Sequence, residues 1–195
     1  MPAAKNSRRP RNAELTRAAI LASARKAFVK KGYDGAGVRE IAAGAGVTAM
    51  LVNRYFGSKE KLFAEVVADT MQPAVILDPV NLKTKDLAKT LAESLVAVTN
   101  ANATPLDGFL IMARSAASPR AAAITRREIE KHHHATMTNA LNGRLTAERA
   151  ALLLSLVAGV QSMRQVFGLK ALTQANPADL AKLLAPMIQA VLAAP

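Results

Sequence analysis

Cysteine is absent from the 195 residues, and aromatic residues make up only 4% of them. The first absence excludes disulfides, thiolate metal sites and a cysteine nucleophile, and leaves the compartment unconstrained by redox chemistry. Long apolar runs are also missing. The longest uncharged apolar stretch, Ala150 to Met163, lies between Arg149 and Arg164 and is shorter than the roughly 18–20 residues a membrane span requires. Enzyme signatures are lacking as well. The glycines at 32, 35, 37, 44 and 46 do not fit G-x-G-x-x-G and follow no strand pattern, there is no nucleophile elbow, and all three histidines fall in one run. We therefore expect neither an enzyme nor a cofactor. The opening MPAAKNSRRPRN is basic and polar with no apolar region behind it, so we expect no export signal and a soluble cytoplasmic, nucleoid-associated protein.

What is abundant is alanine and leucine, with half the residues apolar, a mix that favours an all-α protein whose helices approach closely through small side chains. Acidic residues are few: 14 against 26 Lys and Arg, for a net charge of +12. The excess is uneven. Residues 1–63 carry 13 Lys and Arg against 4 Asp and Glu, and residues 64–195 carry 13 against 10. A basic lobe followed by a nearly balanced one points to a polyanion-binding unit attached to something else, the alternative being a generic solvated basic surface.

The basic lobe has a pattern. Residues 1–12, with Lys5, Arg8, Arg9 and Arg11, read as a disordered arm, inert or able to reach phosphates. A long helix opening at Asn12 or Ala13 has Ile20, Ala24, Ala27 and Phe28 as its core stripe and stops at Gly32. Val38, Ile41, Ala42 and Ala45 then mark a short helix broken by Gly46, and Thr48 is a good N-cap for a second, Ala49 to Tyr55. With Leu51, Val52 and Phe56 turned inward, Ala49, Met50, Asn53 and Arg54 form its exposed face. Two short helices joined by a tight glycine-containing turn read as a helix-turn-helix. Arg54 suits guanine, Asn53 suits adenine, and Ala49 and Met50 suit thymine methyl groups. Ser58 caps a fourth helix. Lys59 in its first turn opposes the helix dipole unless a phosphate binds there, the alternative being local compensation by Glu60.

Ile20-Leu21 with Ala24, Phe28 and Gly32, then VREIAAGAGVT, then YFGSKEKLF, resemble the N-terminal domain of the TetR (tetracycline-repressor) family of bacterial transcription regulators. The match covers about Ala13 to Phe63. The resemblance implies a three-helix DNA-binding domain, a connecting fourth helix and a C-terminal helical domain that dimerises and binds a small inducer. It places Thr48, Ala49, Met50, Asn53 and Arg54 on the recognition face with Tyr55 beside them, and Lys59 at the family's phosphate-contacting lysine. Two positions depart from the family pattern. Gly37 stands where many members have Thr at the start of the second helix, so a side-chain cap and phosphate contact are missing there. Asn53 stands where members often have Tyr.

Five further helices are expected, nine in all: one from Thr84 or Lys85, one opened by Thr104-Pro105, one by Ser118-Pro119, one capped by Thr146 and running to about Phe167, and one opened by Asn176-Pro177. On the last two, Ala151, Ser155, Gly159 and Ser162 form small-residue rows beside Leu184 and Ile188, which suggest an interchain four-helix bundle, or else burial within one subunit. Pro186 should kink the last helix. Leu95, Phe109, Met112, Ile129, His133, Met137 and Met163 are candidates for an adaptable pocket lining, or ordinary core. Consecutive histidines point about 100° apart on a helix, so His132, His133 and His134 cannot all ligate one ion without helix distortion. A metal role and a pH-sensitive or ligand-contacting role for this run stand beside the simpler one, a solvated face; the reading adopted includes no metal site.

The domains expected are thus a basic arm (1–12), a helix-turn-helix domain (13–62) and a helical ligand-binding and dimerisation domain (63–195). The function expected is a homodimeric regulator that binds an inverted-repeat operator in double-stranded DNA and is released by a small-molecule inducer, most simply a repressor. The alternative is a basic architectural DNA-binding protein without a ligand.

Overall fold

The computed structural model describes residues 8–71, 76–100 and 106–193. All regular structure among them is helical: α1 Arg8–Gly35, α2 Val38–Gly44, α3 Ala49–Phe56, α4 Lys59–Thr70, α5 Pro79–Leu82, α6 Leu87–Val98, α7 Asp107–Ser115, α8 Pro119–Ile129, α9 Ala135–Ala140, α10 Thr146–Gln161, α11 Lys170–Thr173 and α12 Pro177–Leu192. Glu130–His134 and Ser162–Val166 are π-helical turns that continue α8 and α10. The nine expected helices are present. The additions are the single turns α5 and α11 and the segment α9 beyond the first π-turn. The expected Thr104-Pro105 start lies outside the described residues, as does the arm up to residue 7.

Helix α1 opens at Arg8, earlier than expected. Pro10 does not prevent this, because the first four N–H groups of a helix have no intrahelical acceptor. Two further starts differ. Asp86, not Thr84 or Lys85, caps α6 by accepting from Lys89 N. Thr146 lies inside α10, because Leu145 takes the cap position in a left-handed conformation with φ 55°.

The described residues form two compact units. The first combines α1–α4 with α7 and α8 up to Glu128. Its core is Ile20, Ala24, Phe28, Ile41, Val52, Phe56, Leu62 and Phe63. Phe63 meets Phe28 edge-on (centroids 5.0 Å, 89°) and Tyr33 at 4.9 Å and 69°, an arrangement that aligns ring edges with ring faces. Helix α7 lies against α1, where Arg25 Nε donates to Asp107 Oδ2 at 2.7 Å and Tyr33 N to Ser115 Oγ at 2.9 Å.

Gly32 makes that approach possible. It interrupts α1 at φ 67°, ψ −175°, a conformation essentially reserved for glycine, and a Cβ there would sit 2.4 Å from the Arg114 carbonyl oxygen.

In the second unit α6 packs on α12, around Leu91, Leu95, Met137, Leu153, Leu184 and Ile188. Two buried arginines close it. Arg149 donates through Nε to the Val191 carbonyl (2.8 Å), through Nη1 to Asn142 (2.7 Å), and through Nη2 to Leu192. Arg164 donates to Val96 O (2.8 Å), Thr99 Oγ1 and Leu172 O (3.2 Å). Both supply charge-assisted donors to carbonyls at the C-terminal ends of helices α12 and α6.

Gly32→Ala should cost at least about 2 kcal/mol of unfolding free energy, because strain and backbone clash coincide. A denaturant titration showing a loss below about 0.5 kcal/mol, the range of neutral surface changes, would contradict this account of the α1–α7 approach.

Candidate nucleic-acid interface

The geometry of the helix-turn-helix follows from its local chemistry. Ser23 Oγ on α1 donates to the Ile41 carbonyl at 2.8 Å and holds α2 against α1. Gly46, at φ 67°, makes the turn. Thr48 then caps α3, its Oγ1 accepting from Leu51 N at 3.3 Å. Val52 and Phe56 are buried. Thr48, Met50, Asn53 and Arg54 are exposed, with Met50 showing 80% of its surface, and Ala49 and Tyr55 are half-buried at their margin. A methionine so exposed in a domain with its own core is presented outward, not packed. Gly37 occupies the N-cap of α2 with extended backbone and no side-chain bond, as its identity requires.

Ser58 caps α4, Oγ accepting from Lys61 N at 3.2 Å. In the first turn, Lys59 Nζ lies 4.5 Å from the centroid of the Tyr33 ring, a cation–π contact that orients the ammonium without neutralising it. Glu60 pairs instead with Arg120 of α8, Oε1 to Nη1 at 2.7 Å. The Tyr33 hydroxyl stands beside that pair. Its pKa is raised, first by burial and then by the Glu60 charge. Glu60 is held below the usual carboxylate range, first by its own backbone N–H and the Ser58 side chain, with Arg120 adding to this. On the opposite side Arg17 pairs with Glu65 and lies 5.0 Å over the Phe56 ring. Sequence reasoning finds neither Tyr33 nor Arg120, and Glu60 only as local compensation for Lys59. Arg120 is 60 residues from its partner, and no periodicity in the sequence connects them.

The remaining expected residues separate. Leu95 and Met137 lie in the core of the second unit, and Phe109 is buried in the first. Met112 and Ile129 are half-buried, and Met163 is 42% exposed. Met137 lines an apolar cavity of about 20 Å³ with Leu91, Leu153 and Ile188, room for no more than one water-sized probe. The histidines stand on the π-turn, the distortion that a shared ion would demand. Among the described residues, however, no three potential ligands converge. His133 Nε2 donates to the Met71 carbonyl (3.3 Å) and His134 Nε2 to Ala147 (2.9 Å). On α10, Ala151, Ser155 and Gly159 are exposed and Ser162 is half-buried, and both serine hydroxyls are turned back onto carbonyls of their own helix. Leu184 and Ile188 face inward, into their own core. The exposed apolar residues on α10 and α12 are Leu152, Leu183 and Met187.

These elements define a helix-turn-helix regulator of transcription. Residues 20–66 match the model for bacterial regulatory proteins of the tetR family, and residues 85–192, more than half of the chain, match the tetracyclin repressor-like C-terminal domain. The chain belongs to the TetR family of transcription regulators. No curated protein matches it. Among solved structures it is similar to GusR of Salmonella enterica (20% identity, TM-score 0.71, 92% of this chain and 96% of that one). It is also similar to the fatty acid degradation regulator FadR of Bacillus halodurans (15%, 0.64, 90% and 94%) and to the multidrug binding protein EbrR complexed with proflavin (17%, 0.61, 90% and 99%). At these identities the likeness is one of fold. Among the described residues, no helix is long and apolar enough to cross a membrane.

Burial is the main cause pushing the His133 pKa down from 6.5, reinforced by the neighbouring His132 and opposed by the bond to Met71. A depressed folded-state pKa means that the unfolded chain takes up the proton first. Stability from this residue is therefore complete above pH 6.5 and is lost as pH falls from there toward the depressed value. The midpoint temperature of the natural chain should drop more steeply between pH 7 and pH 5.5 than that of His133→Gln, and parallel melting curves would contradict this.

Proposed function

We propose that the protein is a homodimeric repressor that reads an inverted repeat with α3 and leaves it when a small molecule binds the second unit. The exposed face of α3 carries the reading: Thr48, Met50, Asn53 and Arg54 project outward from a helix held by Val52 and Phe56. Arg54 contacts a guanine, Asn53 an adenine, and Ala49 and Met50 thymine methyls. Thr48, Tyr55 and the Gly37 backbone border the same surface. Lys59, with its ammonium unneutralised, binds a phosphate at the start of α4.

One short helix specifies too few base pairs, so two copies read two half-sites. Leu152, Leu183 and Met187, beside the small residues Ala151, Ser155 and Gly159, form the contact between copies. The inducer enters the second unit by displacing flexible side chains such as Met137 around the small cavity. EbrR, one of the similar structures, is a multidrug binding protein complexed with proflavin, which supports a small organic molecule as the ligand. Its binding shifts α4, alters the spacing of the two recognition helices and lowers affinity.

Selection of duplexes from a random pool at about 150 mM salt, near physiological ionic strength, should recover an inverted repeat. Recovery of no motif, with binding that vanishes as salt rises, would favour an architectural DNA-coating protein. Against the selected site, Arg54→Ala should cost about 1–3 kcal/mol and relax one position. Lys59→Ala should weaken all sequences alike and shallow the salt slope by about 0.9. Equal loss of selectivity from both would contradict this division.

A further inference from the structure

Three charged residues open α4. Lys59 and Lys61 favour a phosphate there, whereas the charge of Glu60 opposes it by repulsion. Left alone, Glu60 is a built-in competitor for the very site that Lys59 serves. In the structure its carboxylate is paired with Arg120 at 2.7 Å, beside Tyr33. The face of that same Tyr33 ring carries Lys59. One tyrosine thus stands beside the Glu60–Arg120 pair and carries the recruiting cation on its ring. Arg120 sits in the first turn of α8, after Ser118, whose hydroxyl donates to Asp34 Oδ1 at 3.2 Å; the helix is therefore tied to the end of α1 and Arg120 is delivered to Glu60 in a set register.

We propose that Arg120 is a positioning residue for DNA binding: its guanidinium neutralises Glu60, whose charge would otherwise repel a DNA phosphate beside Lys59. Arg120 acts through Glu60 and touches no base. The inference rests on the reading of Lys59 as a phosphate contact. It adds a residue from outside the helix-turn-helix, on a helix that runs on through the π-turn Glu130–His134. The charge balance at the phosphate site then depends on whether α8 keeps Arg120 in place.

A double-substitution cycle tests it, with anisotropy of a labelled mixed-sequence duplex of about 30 base pairs at low salt, where exposed charges are least screened. Arg120→Ala should weaken binding about threefold to tenfold, the range expected for an exposed charge brought beside a phosphate. Arg120→Lys, which keeps the charge, should recover most of that loss. Glu60→Gln should not weaken binding, and Arg120→Ala placed on Glu60→Gln should have no further effect. Arg120→Gln serves in place of Arg120→Ala if melting curves show the latter unfolded.

Full affinity in Arg120→Ala would overturn the proposal. So would an equal loss with and without the Glu60 carboxylate, since Arg120 would then act on DNA directly or through the fold. Lys59→Ala separates the levels. If it weakens binding while the cycle is additive, only the role of Arg120 is lost. If Lys59→Ala changes nothing, the phosphate site itself is lost, and the role of Arg120 falls with it.

Discussion

The packing of Phe63 edge-on against Phe28 and Tyr33 is the contact on which the first unit depends. In a chain with five phenylalanines and two tyrosines, three of these rings meet at one point, where α1, the segment just past Gly32 and α4 come together. Edge-to-face rings resist sliding as well as separation, because the positive edge of one must stay over the negative face of the next. That rigidity fixes where α4 begins relative to α3, and hence where Lys59 stands relative to Arg54. The same tyrosine gives its face to Lys59 and stands beside the Glu60–Arg120 pair. Core and interface are thus two sides of one side chain.

The second unit solves a different problem. It has few aromatics and many short helices, so many helix ends must find partners away from water. Arg149 and Arg164 meet part of that need. Each directs a buried guanidinium at backbone and hydroxyl oxygens. Five donors in a rigid fork suit this task better than an ammonium would. The field at a helix C-terminus offsets part of the cost of burying the charge.

The two faces of α12 differ in burial. Leu184 and Ile188 serve the unit's own core, while Leu183 and Met187, one residue before each of these, stay on the surface. Neighbouring apolar stripes on one helix thus differ, one closing the unit's core and the other open to solvent.

Much of this was legible in the sequence. The all-helical class, the glycine at the helix-turn-helix turn, the Thr48, Ser58 and Asn176 caps and the exposed face of α3 follow from spacing and capping chemistry, which act over three or four residues. The family resemblance rests on those same local patterns. Tertiary structure decided what depends on partners far along the chain. Leu184 and Ile188 read as an interface because α12 is apolar on more than one face, and periodicity cannot choose between stripes of equal hydrophobicity. Arg149 and Arg164 read only as the ends of an apolar run, because the carbonyls they bond lie up to 68 residues away. Glu60 read as a local counter-charge to Lys59, and only the fold brings Arg120 to it. Local free energies are written in adjacent residues; the choice among long-range partners emerges when the chain closes and each polar group takes the acceptor or charge that packing has placed beside it.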